Sequence, residues 1–143
     1  MKTHTKILFL LAAISVISCK KDKPEISLQE AAKAKLSTTW ILAEGSSVTL
    51  DGEDVTSDYT AFEITFNPAG TYTTINGPAA FNTSGTWVFN GTSLTSITRD
   101  GDVATTLTLT DTTLMLEFTI DESQIGSRTT ALTGEYVFNL IKE

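Results

Sequence analysis

The chain has 143 residues, a length typical of one domain. Its formal net charge is −7, from 10 Lys and Arg residues against 17 Asp and Glu residues. This balance excludes nucleic acid as a partner, because binding phosphates needs clustered Lys and Arg. His4, the only histidine, lies in a segment that we expect to be removed, and Cys19 is the only cysteine. Ser-His-Asp, Cys-His and histidine-ligated zinc sites are therefore excluded.

Residues 1–18 have the composition of a signal peptide. Lys2 and Lys6 flank the start of an apolar run at 7–17, which is too short for a comfortable transmembrane helix. The sequence Val-Ile-Ser-Cys at 16–19 resembles the lipobox of bacterial lipoproteins. That resemblance implies acylation of Cys19, a membrane as partner, and a location in the cell envelope at the outer membrane. The alternative is a secretory signal that is cut elsewhere.

A tether and one helix follow the predicted acylation site. Residues 19–26 are mostly polar and predict a spacer between the lipid and the folded domain. Ser27 and Glu30 have the spacing of a capping box, which predicts a helix over 27–36. Its apolar residues recur at helical spacing and predict a narrow buried stripe: Leu28, Ala31, Ala32 and Leu36.

The remainder of the chain predicts β-strands joined by tight turns. Residues 62–66 alternate apolar and polar side chains, as a strand with one buried face does. Strong turn signals are Asn-Pro-Ala-Gly at 67–70, Asn-Gly at 90–91 and Asp-Gly at 100–101. The predicted strands are 40–50 with a break near 45–47, 62–66, 71–76, 85–89, 94–99, 103–109, 114–120 and a last strand containing Tyr136, Phe138 and Leu140.

The order of these strands predicts an all-β fold, an antiparallel up-and-down barrel of about eight strands with a short N-terminal helix. An open meander would leave two exposed edges, and closing it into a barrel removes them. The alternative is a β-sandwich, which needs long crossovers between sheets. Only residues 122–134 are long enough for one, so the barrel is favoured.

Four segments resemble the small lipocalin-like lipoproteins of bacterial envelopes. They are LSTTWIL at 36–42, TFNPAGTY at 65–72, SGTW at 84–87 and LTDTTLML at 109–116. The resemblance implies that residues 27–143 form a lipocalin-like β-barrel domain. It also implies a non-enzymatic protein that binds a small apolar ligand or a peptide at its loops. The alternative is an accessory or structural protein with a packed barrel that contacts another envelope protein.

Alternation of the connections predicts where a site would lie. The longer loops at 51–60, 77–83, 100–102 and 122–134 fall at one end of the barrel. The tight turns and the helix fall at the other end. Long loops on a rigid scaffold commonly carry function, so we expect the ligand at the first end.

Tyr59, Phe81 and Arg128 are the candidate ligand-binding residues of these loops. Arg128 is the cation of the longest loop and has either a ligand carboxylate or Glu122 as its expected partner. The acids at 51–58 lack the spacing of a calcium-binding EF-hand, and we interpret them as a solvated hairpin tip with a weak calcium site as the alternative. We expect no catalytic residue, no metal and no cofactor.

Overall fold

A computed structural model describes residues 27–77, 80–124 and 132–143. Its helices are α1 (Leu28–Leu36) and two 3-10 helices, Thr56–Tyr59 and Glu122–Gln124. Its strands are β1 (Thr39–Ile41), β2 (Ser47–Leu50), β3 (Glu53–Asp54), β4 (Glu63–Asn67), β5 (Thr71–Ile75), β6 (Ser84–Phe89), β7 (Ser96–Arg99), β8 (Val103–Leu109), β9 (Thr113–Ile120) and β10 (Gly134–Lys142). The predicted signal peptide, the tether and Cys19 lie outside the described residues. No helix in the described ranges is long and apolar enough to cross a membrane.

Helix α1 begins where the sequence predicts. The Ser27 hydroxyl accepts a hydrogen bond from the Glu30 backbone N–H at 3.1 Å, which satisfies one of the unpaired donors of the first turn. The predicted apolar stripe is only partly right, since Leu36 is fully buried but Leu28 is 76 % exposed. The C-terminal turn of α1 makes the buried contact with the barrel. There Trp40 Nε1 of β1 donates to the Leu36 carbonyl at 3.0 Å.

Eight antiparallel strands form a closed barrel. Around the ring the order is β1, β4, β5, β6, β7, β8, β9 and β10. The ring closes because β1 pairs with β10 as well as with β4, with Trp40 opposite Lys142 and Ile64. The predicted barrel is therefore confirmed and the sandwich alternative is wrong, since both edges of the meander are paired with each other.

The first predicted strand is interrupted, as the sequence indicates. β1 and β2 both pair with β10, and the chain between them turns out of the ladder at Gly45, which has a φ of +84°. β2 then forms a small hairpin with β3 across Asp51 and Gly52. This hairpin leads into the Thr56–Tyr59 helix at one end of the barrel.

Inward and outward side chains alternate along the strands. In β8 and β9 every second residue is buried, and most of the residues between them are exposed Thr, Ala or Glu side chains. The large apolar side chains face inward because burying them removes apolar surface from water. Aromatic members of this core are Trp40, Tyr59, Phe62, Phe66, Tyr72, Phe81, Trp87, Phe118, Tyr136 and Phe138.

The two ends of the barrel differ. At the tight-turn end, Gln29 Nε2 of α1 donates to the Gly91 carbonyl at 2.8 Å, and Lys35 Nζ lies 2.8 Å from Asp111 Oδ1. At the other end, which we call the loop end, Gln124 Nε2 donates to the Asp102 carbonyl at 2.9 Å. The helix therefore covers the tight-turn end and the longer connections gather at the loop end, as the alternation predicts.

Candidate functional site

Tyr59 reaches the loop end from the 3-10 helix after β3. Its side chain is 3 % exposed, and its ring centroid lies 5.0 Å from that of Phe138 and 6.2 Å from that of Phe62. The sequence predicts Tyr59 as a rim residue, whereas the structure places it within the core. At the loop end the Tyr59 ring packs edge-on against Phe62 and Phe138, which accounts for its burial.

Phe81 comes from the loop between β5 and β6 and fills the mouth of the barrel. It is 2 % exposed, with ring centroids 5.3 Å from Phe62, 5.3 Å from Phe118 and 5.1 Å from Phe138. The loop comes this close because Gly77 has no side chain. A Cβ at Gly77 would lie 2.8 Å from the Phe62 ring. We call Tyr59, Phe62, Phe81, Phe118 and Phe138 the aromatic cluster.

The structure thus brings two of the three predicted site residues into one cluster. Tyr59 and Phe81 both contact Phe138, but neither side chain lies on an open surface. Arg128, the third, lies outside the described residues. The role of all three in ligand binding stays a prediction.

Arg99 is the residue at the loop end that reasoning from the sequence missed. Its side chain is 0 % exposed, Nε donates to Thr105 Oγ1 at 3.1 Å, and Cζ lies 4.2 Å from the ring centroids of both Phe81 and Phe118. The two-residue period of a β-strand was the sequence signal that could have indicated its burial. Arg99 follows Ile97 by two residues in β7, so both side chains face inward.

A hydrogen-bond cluster on Asp100 joins the loop carrying Phe81 to the neighbouring strands. Asp100 Oδ2 accepts from Tyr72 Oη at 2.6 Å and from Asn82 Nδ2 at 3.1 Å, while Oδ1 accepts from the Thr86 N–H at 3.1 Å. Thr74 adds two more contacts to the loop, since its N–H and Oγ1 donate to the carbonyls of Thr83 and Asn82. These bonds hold Phe81 in the mouth.

Two phenols at the loop end are held in the neutral form. Burial raises the pKa of Tyr59 far above its ordinary value of 10.0, and the adjacent Tyr136 adds to the effect. Burial also raises the pKa of Tyr136, whose hydroxyl donates to the Leu132 carbonyl at 3.0 Å. Neither group is suited to act as a base at neutral pH. Each contributes a buried aromatic ring and one hydroxyl group that can form hydrogen bonds.

The carboxylates of the acidic loop at 51–58 accept hydrogen bonds from backbone N–H groups, both of the loop itself and of β10. Asp51 Oδ1 accepts from the Glu135 N–H at 2.8 Å. Hydrogen bonds from the side chain and the backbone of Thr56 hold the pKa of Asp54 below its ordinary value. In the part of the chain that the structure describes, no three His, Cys, Asp or Glu side chains gather as metal ligands do.

Among the clefts formed by the described residues, two border the outside of the barrel at opposite ends of β8. One of about 420 Å³ lies between α1 and the tight-turn end of β8, where its lining includes Leu28, Ala31, Leu94 and Leu109. Another of about 410 Å³ lies over β8, β9 and β10 and is lined by polar residues including Glu117 and Glu135. Neither cleft is lined by Phe81 or Arg99, although the polar cleft borders the loop end at Asp102, Gln124 and Phe118.

A closed antiparallel barrel with a helix across one end and a buried aromatic cluster at the other defines a small up-and-down β-barrel domain. The family model described as a lipocalin-like domain matches residues 33–116, more than half of the chain. The chain therefore belongs to the lipocalin-like domain family, whose members are typically non-enzymatic binding folds. No curated protein and no solved structure matches it.

Proposed function

We propose that this protein is a lipid-anchored, non-enzymatic binding protein of the cell envelope, whose barrel takes a small apolar ligand at the loop end. The observation that supports the proposal is that Phe81, the side chain that fills the loop end of the barrel, belongs to a loop and not to a strand. Phe81 lies between β5 and β6, so rotation of its side chain out of the cluster would break no pair of the barrel ladder. The rings of Phe62, Phe118 and Phe138 then line an apolar pocket about the size of the ring removed.

The lipid anchor is proposed from the sequence. It would attach near the end of the barrel that lies opposite the proposed ligand site. Cys19 lies eight residues before Ser27, and Ser27 begins the helix that covers the tight-turn end. A lipid on Cys19 then holds that end toward the membrane. Ligands reach the loop end from the aqueous side, where the mouth is unobstructed by the bilayer.

An accessory protein with a solid barrel is the second candidate. It is favoured by the completeness of the ring contacts in the cluster, where Phe81 is 2 % exposed and lies within 5.3 Å of three other rings. In that case Phe81 is a permanent part of the core and the outer surface contacts another envelope protein. The two candidates differ in whether the mouth accepts a ligand.

Binding of the neutral apolar fluorophore N-phenyl-1-naphthylamine distinguishes them. If a ligand displaces Phe81, the wild type should bind the probe saturably, and Phe81→Ala should bind it several-fold more tightly because the ring that must move is already absent. A solid barrel predicts no saturable binding by the wild type. Ala69→Ser, in the tight turn at the opposite end, is the matched control and should leave binding unchanged. Fluorescence titration measures all three proteins. Absence of saturable binding by the wild type would leave the accessory protein as the better proposal, whether or not Phe81→Ala binds the probe.

Cys19→Ser tests the anchor. Two or three acyl chains at about 0.8 kcal/mol per buried CH₂ hold a protein in a membrane almost permanently, so the substitution should release it to the soluble envelope fraction. Fractionation after a high-salt wash measures the release, and mass spectrometry of the wild type measures the acyl chains. A variant that still sediments with membranes after the wash contradicts acylation at Cys19.

A further inference from the structure

Three exposed apolar side chains surround the first turns of α1. Leu28 is 76 % exposed, Val88 is 62 % exposed and Leu94 is 37 % exposed. Leu28 and Leu94 line the cleft between α1 and β8, and Val88 lines a second cleft together with Gln29 and Lys33 of the helix. Single exposed apolar residues are ordinary on a protein surface, whereas a group of them marks a contact with a partner. We call Leu28, Val88 and Leu94 the apolar patch.

Hydrogen bonds fix the start of α1 beside the turn that precedes Leu94. Gln29 Nε2 donates to the Gly91 carbonyl at 2.8 Å and to the Ser93 carbonyl at 3.3 Å. Leu28 precedes Gln29 and Leu94 follows Ser93, so these bonds hold the two leucines on neighbouring segments of the tight-turn end. The apolar patch is therefore part of the folded barrel, at the end from which the chain leads back to Cys19.

The length of chain before α1 indicates which partner lies near the apolar patch. Cys19 lies eight residues before Ser27 in the sequence, and Leu28 follows Ser27 directly. Eight residues span at most about 29 Å even when fully extended. An acyl chain on Cys19 therefore keeps the patch within that distance of a bilayer, at a high effective concentration. A lipid surface is thus the apolar partner that the anchor confines beside the patch.

The distribution of charge favours the same end of the barrel for contact with lipid. The lysines of the described residues, Lys33, Lys35 and Lys142, all lie at the tight-turn end, where the Lys142 N–H donates to the Thr112 carbonyl. Glu30, Asp111 and Glu143 offset them there. The loop end carries acids without a lysine in the described ranges: Asp51, Asp102, Asp121, Glu122 and Glu135. Anionic phospholipids repel the acidic loop end and accept the nearly balanced end.

We propose that the apolar patch docks directly on a bilayer that contains anionic phospholipid, with Leu28 and Leu94 in the boundary between headgroups and acyl chains. Helix α1 then lies along the lipid surface, as interfacial helices do, and the loop end points into the aqueous phase. The inference rests on the proposed lipid anchor and adds a second contact to it. The acyl chains limit the distance of the barrel from the membrane, and the patch determines its orientation.

Quenching of a fluorophore by nitroxide lipids tests the contact. Ala31→Cys and Ala104→Cys are matched changes of exposed alanines, Ala31 in the cleft that Leu28 and Leu94 line and Ala104 on β8 toward the loop end. In the acylated protein the Cys19 sulfur is a thioether, so monobromobimane labels the new thiol. The vesicles contain phosphatidylethanolamine and phosphatidylglycerol, with or without phosphatidylcholine that carries a nitroxide high in its acyl chain. Quenching should be about threefold greater at Ala31→Cys than at Ala104→Cys, because an interfacial helix lies at the depth of the nitroxide.

Two pairs of substitutions in the Ala31→Cys background assign the contact to the patch. Leu28→Ser/Leu94→Ser should lower the quenching to the level of Ala104→Cys. Ile75→Ser/Leu132→Ser removes two apolar side chains outside the patch, 53 % and 56 % exposed, and should leave the quenching unchanged. Near-ultraviolet circular dichroism checks the fold of each variant. Leu28→Ser alone replaces the first pair if that pair does not fold.

Flotation of each labelled protein with the vesicles separates failure of the docking from failure of the anchor. Equal quenching at Ala31→Cys and Ala104→Cys in proteins that float overturns the docking and leaves the anchor standing. A wild type that does not float overturns both. Quenching that survives Leu28→Ser/Leu94→Ser, or that Ile75→Ser/Leu132→Ser removes, overturns the assignment to the apolar patch.

Discussion

Gly85 is the residue whose lack of a side chain permits the contacts at the loop end. A Cβ at this position would lie 2.0 Å from Asp100 Oδ1 and 2.6 Å from a ring carbon of Tyr72. The Tyr72 ring therefore crosses directly over the backbone of β6 to reach Asp100. The restriction is steric, since β6 is an ordinary extended strand at this point.

Gly85→Ala should accordingly displace Tyr72 and weaken its bond to Asp100. Overpacking of this kind costs about 1–3 kcal/mol of unfolding free energy. The adjacent Ser84→Ala variant, at an exposed position of the same strand, should cost less than about 0.5 kcal/mol. Chemical denaturation measures both variants. Equal losses for the two would contradict the close approach at Gly85.

Tyr59 makes the stability depend on alkaline pH. Its pKa is raised on folding, so the folded chain keeps a phenol proton that the unfolded chain loses near pH 10. Stability is therefore full below pH 10 and falls above it, by up to about 1.4 kcal/mol per pH unit for this group. Tyr59→Phe keeps the ring and should flatten the fall. Thermal unfolding between pH 8 and 11 measures it, and parallel curves for both proteins would be inconsistent with a buried neutral phenol.

At this scale the sequence predicts which residues lie at the loop end better than it predicts their exposure. The turn residues around Tyr59 and Phe81 predict that both lie in loops. These local signals give no information about the space in the core that the two rings occupy. Burial of Phe81 depends on Gly77, Phe62 and strands distant in sequence. Arg99 was missed for the opposite reason, because a charged residue at a strand end is ordinarily expected in water.

Helix α1 is an element whose two ends have different roles. Its C-terminal turn packs on the barrel through Leu36, while its N-terminal turn carries Leu28 in solvent beside the outer cleft. The capping signal predicts the start of the helix because the bond between Ser27 and Glu30 is local. The face that is buried depends on where the barrel lies, which the helical period alone does not specify.

The same substitution at the two ends of α1 tests this arrangement. Leu36→Ala should cost about 2–5 kcal/mol of unfolding free energy, because it leaves a cavity beneath the helix. Leu28→Ala should cost less than about 0.5 kcal/mol, since Leu28 is 76 % exposed. Urea unfolding of the two variants gives the comparison. A larger loss at Leu28 would mean that the helix packs through its first turn.

For the molecule as a whole, alternation and turn chemistry were sufficient to predict the closed barrel. Each hairpin is specified locally, for example by Gly70 with its φ of +84° between β4 and β5. Closure follows because an open meander has two edge strands with unpaired backbone N–H and C=O groups, and pairing the two edges with each other satisfies both. The 3-10 helix at Thr56–Tyr59 was not predicted, since its position over the mouth depends on contacts with the finished barrel.

The pairing that closes the ring joins distant parts of the chain, and this determines when the protein folds. Trp40 of β1 pairs with Lys142 of β10, 102 residues later in the chain, so the ring cannot close until β10 has been synthesised. Folding dominated by such non-local pairs takes milliseconds to seconds, because the loop entropy is lost before the contacts form.

Stopped-flow refolding should show this range, and refolding in microseconds would contradict it. If residues 1–18 are the export signal expected from the sequence, late closure of the ring would help to keep the polypeptide competent for translocation until synthesis is complete.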